Sequence, residues 1–214
     1  ELKRVKELGS YRLIERLGSG GMGEVWRAEH RLLARPAAIK LMRPEVLGGS
    51  TPGRQSELRA RFEREAQATS LLRSPHTIEL YDFGMADDGS FYYVMELLDG
   101  FDLESLVSKF GPLPIERAIH LLTQICHSLG EAHGEGLIHR DIKPANVYVC
   151  RYGRDVDFVK VLDFGLVKSQ DHVDARTLTD VSADHAVRGT PAFMSPEQAL
   201  ANRPLDNRSD IYAI

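Results

Sequence analysis

The stretch Ile138–Val149, IHRDIKPANVYV, is the most specific part of this 214-residue chain. It carries a His-Arg-Asp triplet at residues 139–141, followed by Lys143 and Asn146, and it ends in apolar residues that predict a strand. A long amphipathic segment, which predicts a helix, precedes it. A carboxylate, an ammonium group and an amide are therefore expected in one loop between a helix and a strand.

The tripeptide Asp-Phe-Gly occurs twice, starting at Asp82 and at Asp163. Asp82 precedes an Asp-Gly pair at residues 88–89, a strong hairpin signal, so we predict that Asp82 lies at a turn on the edge of a lobe. Asp163 comes 17 residues after Asn146, beyond the predicted strand pair NVYVC and FVKVL. A hairpin of that length returns Asp163 to Asn146, and only this copy is expected to take part in chemistry.

The first part of the chain predicts an antiparallel sheet with one main helix. The predicted strands are YRLIERLG, EVWRAEH, PAAIKLM, HTIELYDFG and SFYYVMELL. The predicted helix, ELRARFEREAQATSLLRS, has an apolar stripe of Leu58, Phe62, Ala66, Thr69 and Leu72.

From residue 101 onward the pattern is helical. The longest predicted helix starts at Pro114 and ends near Gly134. Its predicted apolar face consists of Ile115, Ala118, Ile119, Leu122, Ile125, Cys126, Leu129 and Ala132. Three histidines of this helix, His120, His127 and His133, face different directions and are expected not to bind a metal ion.

A glycine-rich loop carries Gly18, Gly20, Gly23 and Val25 in a G-x-G-x-x-G-x-V pattern. Glycines let the backbone approach a phosphate closely and bind it through N–H groups. A dinucleotide-binding motif does not fit, because the preceding strand is too polar and Ala38 stands where an acid is required. A Walker A motif fails because no Gly-Lys-Ser/Thr follows. Taken alone, the loop is equally compatible with an ordinary glycine-rich turn.

Lys40 and Glu65 are expected to form an ion pair. Lys40 ends the apolar segment AAIK, where it could also be a strand-end lysine that reaches water. Glu65 lies between Phe62 and Thr69 on the apolar side of its helix, where a carboxylate is costly unless it is paired. A lysine held by this carboxylate could contact the anionic oxygens of a nucleotide.

Five motifs follow one another in the order known from protein kinases: GSGGMGEV, AAIK, HRDIKPAN, DFG and SPE. They extend from Gly18 to Glu197 and cover nearly all of the chain. The chain therefore resembles a Ser/Thr protein kinase catalytic domain, and GGMGEVW and GTPAFMSPEQA are most similar to the bacterial, eukaryotic-like (Hanks-type) branch. The resemblance implies a two-lobed α+β fold over residues 1–214, with an N-lobe at 11–95, a hinge at 96–100 and a mostly helical, incomplete C-lobe at 101–214.

The implied reaction is ATP- and Mg²⁺-dependent transfer of a phosphoryl group to Ser or Thr hydroxyls of proteins, including autophosphorylation. Asp141 resembles the catalytic base, and Lys143 resembles the lysine that steadies the γ-phosphate. Asn146 and Asp163 resemble the two Mg²⁺ ligands, and both are hard oxygen donors. Two rival functions remain open: a nucleotide-binding pseudokinase or scaffold, which includes an inactive fragment, and a small-molecule kinase.

The resemblance also implies which residues surround ATP. Lys40 and Glu65 resemble the ion pair of the active state, Met95 the gatekeeper, and Tyr148 a floor position where the family more often has Leu or Met. The implied ATP-binding set is Leu17, Gly18, Ser19, Gly20, Gly21, Met22, Gly23, Val25, Ala38, Lys40, Met95, Glu96, Leu98 and Tyr148.

The segment from Asp163 to Glu197 resembles an activation segment, whose new phosphate Arg140 would bind. Its candidate phosphorylation sites are Thr177, Thr179 and Ser182, of which the last two are favoured; Asp184 could partly replace the charge, and Thr190 resembles a substrate-aligning residue. A mobile loop without regulation is an equal alternative.

Asp210 resembles the aspartate that begins the central C-lobe helix and braces the catalytic loop. The family's domain continues past Ile214, so the helical lobe is expected to be incomplete and Glu197 to lack its usual arginine partner.

Composition limits the partners and the compartment. The net charge of −4 provides no electrostatic footprint for nucleic-acid binding. No apolar run approaches the roughly 20 residues that span a bilayer, no signal peptide is visible, and two cysteines indicate a reducing compartment. We expect a cytoplasmic domain that makes no membrane contact in this segment, that could dimerise for autophosphorylation, and whose complete protein could be tethered through a missing C-terminal part.

Overall fold

The computed structural model describes residues 7–20, 23–42, 52–164, 191–200 and 205–214. The chain forms two compact units. The first comprises Glu1–Leu71 and Ile78–Asp99, and the second comprises Leu72–Thr77 and Gly100–Ile214. Leu72–Thr77 belong to the second unit, and the predicted lobe bounds at 11–95 and 101–214 stay predictions. The predicted hinge at 96–100 stays a prediction.

The first unit contains the predicted antiparallel sheet, which has six strands where the sequence indicated five. Its strands are β1 (Glu7–Leu8), β2 (Tyr11–Gly20), β3 (Gly23–His30), β4 (Pro36–Met42), β5 (Leu80–Met85) and β6 (Phe91–Met95), in the spatial order β1-β2-β3-β4-β6-β5. Successive side chains of a strand point to opposite faces of the sheet, and Leu13, Ala28 and Ile39 lie on the face that forms the core. Charged side chains of β2 and β3 form ion pairs on the exposed face, as Arg16 does with Glu24.

Helix α1 (Pro52–Ser70) packs on this sheet through the predicted apolar stripe. Phe62, Ala66 and Thr69 are buried, and the Phe62 ring lies 5.1 Å from the ring of Phe91 on β6. The stripe is confirmed at these three positions; Leu58 lies outside the described side chains, and Leu72 follows the end of the helix.

The hairpin between β5 and β6 confirms the Asp-Gly signal: the Ala86 N–H donates to the Ser90 carbonyl at 2.8 Å, and the N–H of Gly89 (φ +81°) to the Ala86 carbonyl at 2.9 Å. The prediction that Asp82 lies at the turn is wrong, because Asp82 lies within β5 itself. This strand forms an edge of the sheet, so Asp82 is exposed while its backbone stays extended.

The second unit combines a three-stranded sheet with helices. The strands are β7 (Asp99–Asp102), β8 (Val147–Tyr152) and β9 (Asp155–Val161), in that order in the sheet, and the helices are α2 (Leu103–Phe110), α3 (Ile115–Gly134), α4 (Pro196–Leu200) and α5 (Arg208–Tyr212). Asp102 caps α2 by accepting a hydrogen bond from the Ser105 N–H at 2.8 Å. Helix α3 begins and ends where Pro114 and Gly134 predict.

The buried face of α3 differs from the prediction. Ile115, Ile119, Leu122 and Cys126 are exposed, and the buried set is Leu121, Gln124, Ile125, Ser128, Leu129 and Ala132. Two polar residues are buried because they have partners there. Gln124 bonds Val159 and Asp157 of β9, and the Ser128 hydroxyl lies 2.7 Å from the Thr77 hydroxyl. An apolar periodicity cannot reveal such partners.

At Gly100 the backbone of β7 lies close to the backbone of β8. A Cβ at this position would overlap the Val149 carbonyl oxygen and lie 2.6 Å from the Cys150 Cα. These are backbone atoms, so relief requires the two strands to separate. We expect Gly100→Ala to lower the free energy of unfolding by about 2 kcal/mol or more.

Gly130→Ala is the matched control for Gly100→Ala, because a Cβ at Gly130 in α3 would meet no heavy atom within 4 Å in the part of the chain that the structure describes. This variant is expected to raise the free energy of unfolding by about 0.5–1 kcal/mol through helix propensity. Urea unfolding of both variants checks the pair. Equal effects on the two variants would contradict the close approach of β7 and β8.

Candidate active site

The loop of the His-Arg-Asp triplet joins α3 to β8 and ends in a 3-10 turn, Pro144–Asn146. The β8–β9 hairpin pairs Val147 with Val161. Immediately beyond this pair the Leu162 N–H donates to the Asn146 carbonyl at 2.9 Å. The predicted return of the chain is thus confirmed, because Asp163 directly follows the residue that is bonded to Asn146.

The Asp141 carboxylate is held by two donors of its own loop. Lys143 Nζ donates to Asp141 Oδ2 at 2.9 Å, and Asn146 Nδ2 donates to the same oxygen at 3.2 Å. Asn146 Nδ2 also donates to the Asp141 backbone carbonyl at 2.8 Å. The Asp141 side chain is only 13% exposed, so these contacts fix its direction as well as its charge. The three residues predicted from the motif therefore meet at one carboxylate.

Asn146 and Asp163 fit the donor chemistry of a divalent metal ion. The Asn146 side chain donates both of its hydrogen bonds to Asp141 through Nδ2, so its oxygen Oδ1 can serve as the ligand atom for a cation. Asp163 contributes a carboxylate, and hard oxygen ligands are what Mg²⁺ prefers. The described part of the chain contains no group of three or more His, Cys, Asp or Glu residues that could hold a metal ion.

His139 is a buried neutral imidazole. Its Nε2 lies 2.7 Å from the Leu162 carbonyl oxygen, so Nε2 carries the proton, and its Nδ1 accepts the Asp141 N–H at 3.3 Å. Burial lowers the pKa of His139, and its ring packs 4.7 Å from that of the buried Phe164. His139 therefore links the start of the catalytic loop to the residues around Asp163.

This burial predicts a loss of stability in acid. In the unfolded chain His139 takes up a proton near pH 6.5, whereas the folded state holds its pKa lower. The unfolded state then binds more protons, so the stability is complete above about pH 6.5 and falls as the pH drops. We expect a loss of up to about 1.4 kcal/mol per pH unit from this group, and His76, whose pKa is also lowered by burial, acts in the same direction.

Urea unfolding at several pH values checks this loss, with His139→Asn as the comparison. The variant is expected to show a slope that is smaller by about one proton. An unchanged slope would contradict the assignment. NMR titration of the wild-type imidazole provides a direct second measurement.

Asp210 anchors the catalytic loop through both carboxylate oxygens. Oδ2 accepts the His139 N–H at 2.8 Å, and Oδ1 accepts the Arg140 N–H at 2.7 Å. The predicted bracing role of Asp210 is confirmed. His133 Nε2 also lies 2.8 Å from Asp210 Oδ2. His133, to which the sequence analysis assigned no function, therefore helps to orient the Asp210 carboxylate. Its position in the last turn of α3 carried no signal of this contact.

Two residues of the site have left-handed backbone conformations. Arg140 has φ +67° and Asp163 has φ +60°. Non-glycine residues pay about 1–3 kcal/mol in this region and keep it only where neighbours impose it. The strain lies directly before Asp141 and at the predicted metal ligand, which is where conformational constraint is useful to a reaction.

Apart from Tyr148 on β8, the residues predicted to bind a nucleotide belong to the first unit. Lys40 on β4 pairs in register with Val25 on β3 and Tyr93 on β6, and its Nζ lies 5.8 Å from the Tyr93 ring centroid. Glu65 lies in α1 and is half-buried like Lys40. The Lys40–Glu65 ion pair stays a prediction.

Strand register brings the predicted adenine contacts together. Ala38 pairs with Met95, and both are buried. Glu96, predicted to bind through its backbone, is also buried, and its carboxylate accepts the Glu79 N–H at 3.0 Å. Leu17 is half exposed on β2.

The glycines of the glycine-rich loop differ in whether the fold itself requires them. A Cβ at Gly23 (φ +155°) would overlap the Leu41 carbonyl oxygen, so the fold itself requires this glycine. A Cβ at Gly18 or Gly20 would meet no heavy atom within 4 Å among the described residues. Packing therefore does not demand these two glycines, whereas close approach of a ligand would.

Tyr148 makes a contact that the sequence did not indicate. Its hydroxyl donates to the Gly100 carbonyl at 2.9 Å, which ties β8 to β7.

Some predicted residues lie outside the part of the chain that the structure describes. They are Gly21, Met22, Thr177, Thr179, Ser182, Asp184 and Thr190.

A model of the protein kinase domain matches residues 11–214. The chain belongs to the protein kinase family. The kinase is 42% identical over 205 residues to serine/threonine-protein kinase pkn3 of Myxococcus xanthus, covering 95% of this chain and 36% of that protein. It is 36% identical over 206 residues to PknH of Mycobacterium tuberculosis, covering 96% and 30%.

A crystal structure of the Mycobacterium tuberculosis PknI kinase domain superposes on the kinase with a TM-score of 0.74 and 28% identity, covering 100% of this chain and 74% of that chain. The two-lobed α+β kinase fold is thereby confirmed. The kinase spans about a third of the length of the curated relatives that it matches. Members of the family generally use ATP with a divalent metal ion and act on proteins.

Proposed function

We propose that this chain transfers the γ-phosphoryl group of ATP to Ser or Thr hydroxyls of proteins, including its own, with Mg²⁺ as the metal. The observation that carries the proposal is the Asp141 carboxylate, which Lys143 and Asn146 hold while Asn146 is bonded to the residue before Asp163. Phosphoryl transfer needs positioning and charge neutralisation more than covalent chemistry, and this group of residues offers both.

In the proposed reaction Asp141 orients the acceptor hydroxyl and takes its proton. Lys143, which is paired with Asp141 at 2.9 Å, offers positive charge to the transferring phosphoryl group. Asn146 Oδ1 and the Asp163 carboxylate would hold Mg²⁺, which neutralises the charge of the β- and γ-phosphates when bound. Asp210 and His139 keep the loop backbone fixed throughout.

The nucleotide itself is proposed to bind through the first unit. Gly18 and Gly20 offer backbone N–H groups to phosphates, and Lys40 offers an ammonium group. Val25 and Ala38 are proposed to cover the adenine. The polar adenine edge is proposed to bind backbone groups of Glu96 and Leu98.

The test is a transfer assay with labelled ATP, Mg²⁺ and a generic Ser/Thr protein substrate, followed by phosphoamino-acid separation. We expect phosphoserine and phosphothreonine without phosphotyrosine, and no signal when the metal is chelated. Relatives named serine/threonine-protein kinases support protein substrates. Transfer to small hydroxyl compounds alone would point to a small-molecule kinase and refute the proposal.

We further propose that activation-segment phosphorylation regulates the site. Arg140 Nε is buried and has no hydrogen-bond partner among the described residues, so an added phosphate would supply one. Thr179→Ala with Ser182→Ala is expected to lower activity about tenfold or more and to remove the response to phosphatase. Full activity of the double variant would exclude these two sites and favour an unregulated loop.

Partners and location are proposed on the same basis. Protein substrates and ATP are the expected partners, nucleic acid is not, and autophosphorylation implies transient pairing of two copies. Cys126 and Cys150 are free thiols, which fits a reducing, ATP-containing cytoplasm. Among the described residues, no helix is both long and apolar enough to cross a bilayer.

A further inference from the structure

Gln198 connects the start of α4 to the catalytic loop. Its Nε2 donates to the Arg140 carbonyl at 2.8 Å, and its Oε1 accepts the Ser195 N–H at 3.0 Å. Ser195 is fully buried, and its hydroxyl accepts the Gln198 N–H at 3.4 Å. The oxygen of the Gln198 side-chain amide therefore binds the start of α4, and its nitrogen binds the loop that carries Asp141.

The acceptor half of this arrangement is a helix capping box. Ser195 and Gln198 exchange hydrogen bonds at the first turn of α4, in the Ser-x-x-Glu/Gln pattern. Glutamate serves this purpose as well as glutamine. The donor half is different, because only an amide can donate to the Arg140 carbonyl while it accepts from Ser195. The capping box thus explains why a side chain of the length of Glu or Gln stands at position 198. The contact with Arg140 explains why that side chain ends in an amide.

The contact with Gln198 means that both backbone polar groups of Arg140, a residue with a strained backbone, are held by side chains. Asp210 Oδ1 holds the Arg140 N–H at 2.7 Å, and Gln198 holds its carbonyl. Arg140 has φ +67°, a conformation that persists only where its surroundings impose it. Its carbonyl shares one rigid peptide plane with the Asp141 N–H. Fixing that carbonyl therefore fixes the plane from which the Asp141 side chain projects.

A second contact ties the same helix to Asp210. Glu197 accepts a hydrogen bond from the Ser209 hydroxyl at 3.0 Å, and Ser209 precedes Asp210. The contacts run from Asp210 to Arg140, from Arg140 to Gln198, and back through Glu197 to Ser209. Both groups that hold the Arg140 backbone are therefore joined to one another.

We propose that Gln198 is a positioning residue, which acts through the Arg140–Asp141 peptide and not on the substrate. This proposal rests on the proposed kinase function, in which Asp141 is the base. Loss of the donor should allow the peptide to rotate and Asp141 to leave its reactive direction. Nucleotide binding should not change, because the hydrogen bonds of the Gln198 side chain in the described part of the chain go to Ser195 and Arg140 and not to a predicted nucleotide-binding residue.

The experiment compares Gln198→Glu, Gln198→Met and the control Gln67→Glu, a glutamine on the exposed side of α1, in the full-length protein. Gln198→Glu keeps the capping box but cannot donate to Arg140, whereas Gln198→Met loses both. We expect kcat to fall about tenfold in both Gln198 variants, with KM for ATP within about twofold of wild type. The control should match wild type.

Hydrogen exchange distinguishes failure of this proposal from failure of the kinase function. The Asp141 amide should exchange about tenfold faster in both Gln198 variants, whereas the Ser195 amide should stay protected in Gln198→Glu. If Gln198→Glu retains wild-type exchange at Asp141, the residue serves only the capping box and the proposal is overturned. This comparison decides the matter even if the wild-type protein transfers no phosphate.

Discussion

Asp163→Ala is expected to abolish phosphoryl transfer, while Asp82→Ala is expected to leave it near the wild-type rate. Both residues begin an Asp-Phe-Gly tripeptide, so the pair separates sequence identity from structural context. Asp163 follows Leu162, whose N–H is bonded to the Asn146 carbonyl at 2.9 Å. Its removal deletes one of two proposed oxygen ligands. A loss of about a thousandfold or more is expected, the scale on which single parts of phosphoryl-transfer sites act.

Asp82 is a control of the same residue type followed by the same two residues. It lies on the exposed edge strand β5, where its Oδ1 accepts the N–H of its own neighbour Phe83 at 2.8 Å. An exposed local contact of this kind contributes little, so the rate should change by no more than about twofold.

Rates should be measured at several Mg²⁺ concentrations for both aspartate variants. Partial recovery of Asp163→Ala at high Mg²⁺ would support a ligand role, since the remaining donors bind the ion weakly. A strong loss in Asp82→Ala together with an active Asp163→Ala would refute the assignment of the site.

Asp141→Asn is expected to lower transfer by about a thousandfold or more while Mg²⁺-ATP binding stays nearly unchanged. Asparagine has the shape of aspartate and still offers an oxygen to Lys143, which lies 2.9 Å from the wild-type carboxylate. It has neither the negative charge that orients the hydroxyl nor the basicity that accepts its proton. The variant should therefore lose kcat and not the affinity for nucleotide.

This variant also separates a kinase from a nucleotide-binding scaffold. Transfer by single turnover and binding by calorimetry should be measured on the same preparation, with Asp87→Asn in the exposed β5–β6 turn as the control. If the wild-type protein binds Mg²⁺-ATP without transfer, the scaffold is the correct reading. If transfer occurs and is indifferent to Asp141, the catalytic role of this residue is wrong.

Much of the fold and the centre of the site could be predicted because they depend on residues that are close together in the sequence. Most strands, the α1 stripe and the β8–β9 hairpin follow from local periodicity and turn residues, whereas the short strands β1 and β7 were not predicted. Asp141, Lys143 and Asn146 lie within one loop, so their meeting needed only the loop to form. The family resemblance then assigned roles that spacing alone could not.

The face of α3 could not be predicted in this way. Its sequence has apolar residues on two sides, and the side with Ile119 and Cys126 is exposed. The buried side contains Gln124 and Ser128, whose hydrogen-bond partners lie on β9 and on Thr77, far away in the chain. Burial of a polar side chain depends on such partners, and no local pattern encodes them.

The sequence by itself determined the order of the motifs, the elements that carry them and the chemistry of the Asp141 loop. The family resemblance implied that Asp210 braces that loop, and only the tertiary structure showed that His133 and Gln198 take part as well. Asp210 and Gln198 bind the backbone of residues 139–140 from two distant parts of the chain, and His133 contacts the Asp210 carboxylate. Hydrogen bonds act over about 3 Å and depend on direction. Contacts between residues so distant in sequence therefore exist only once the chain has folded.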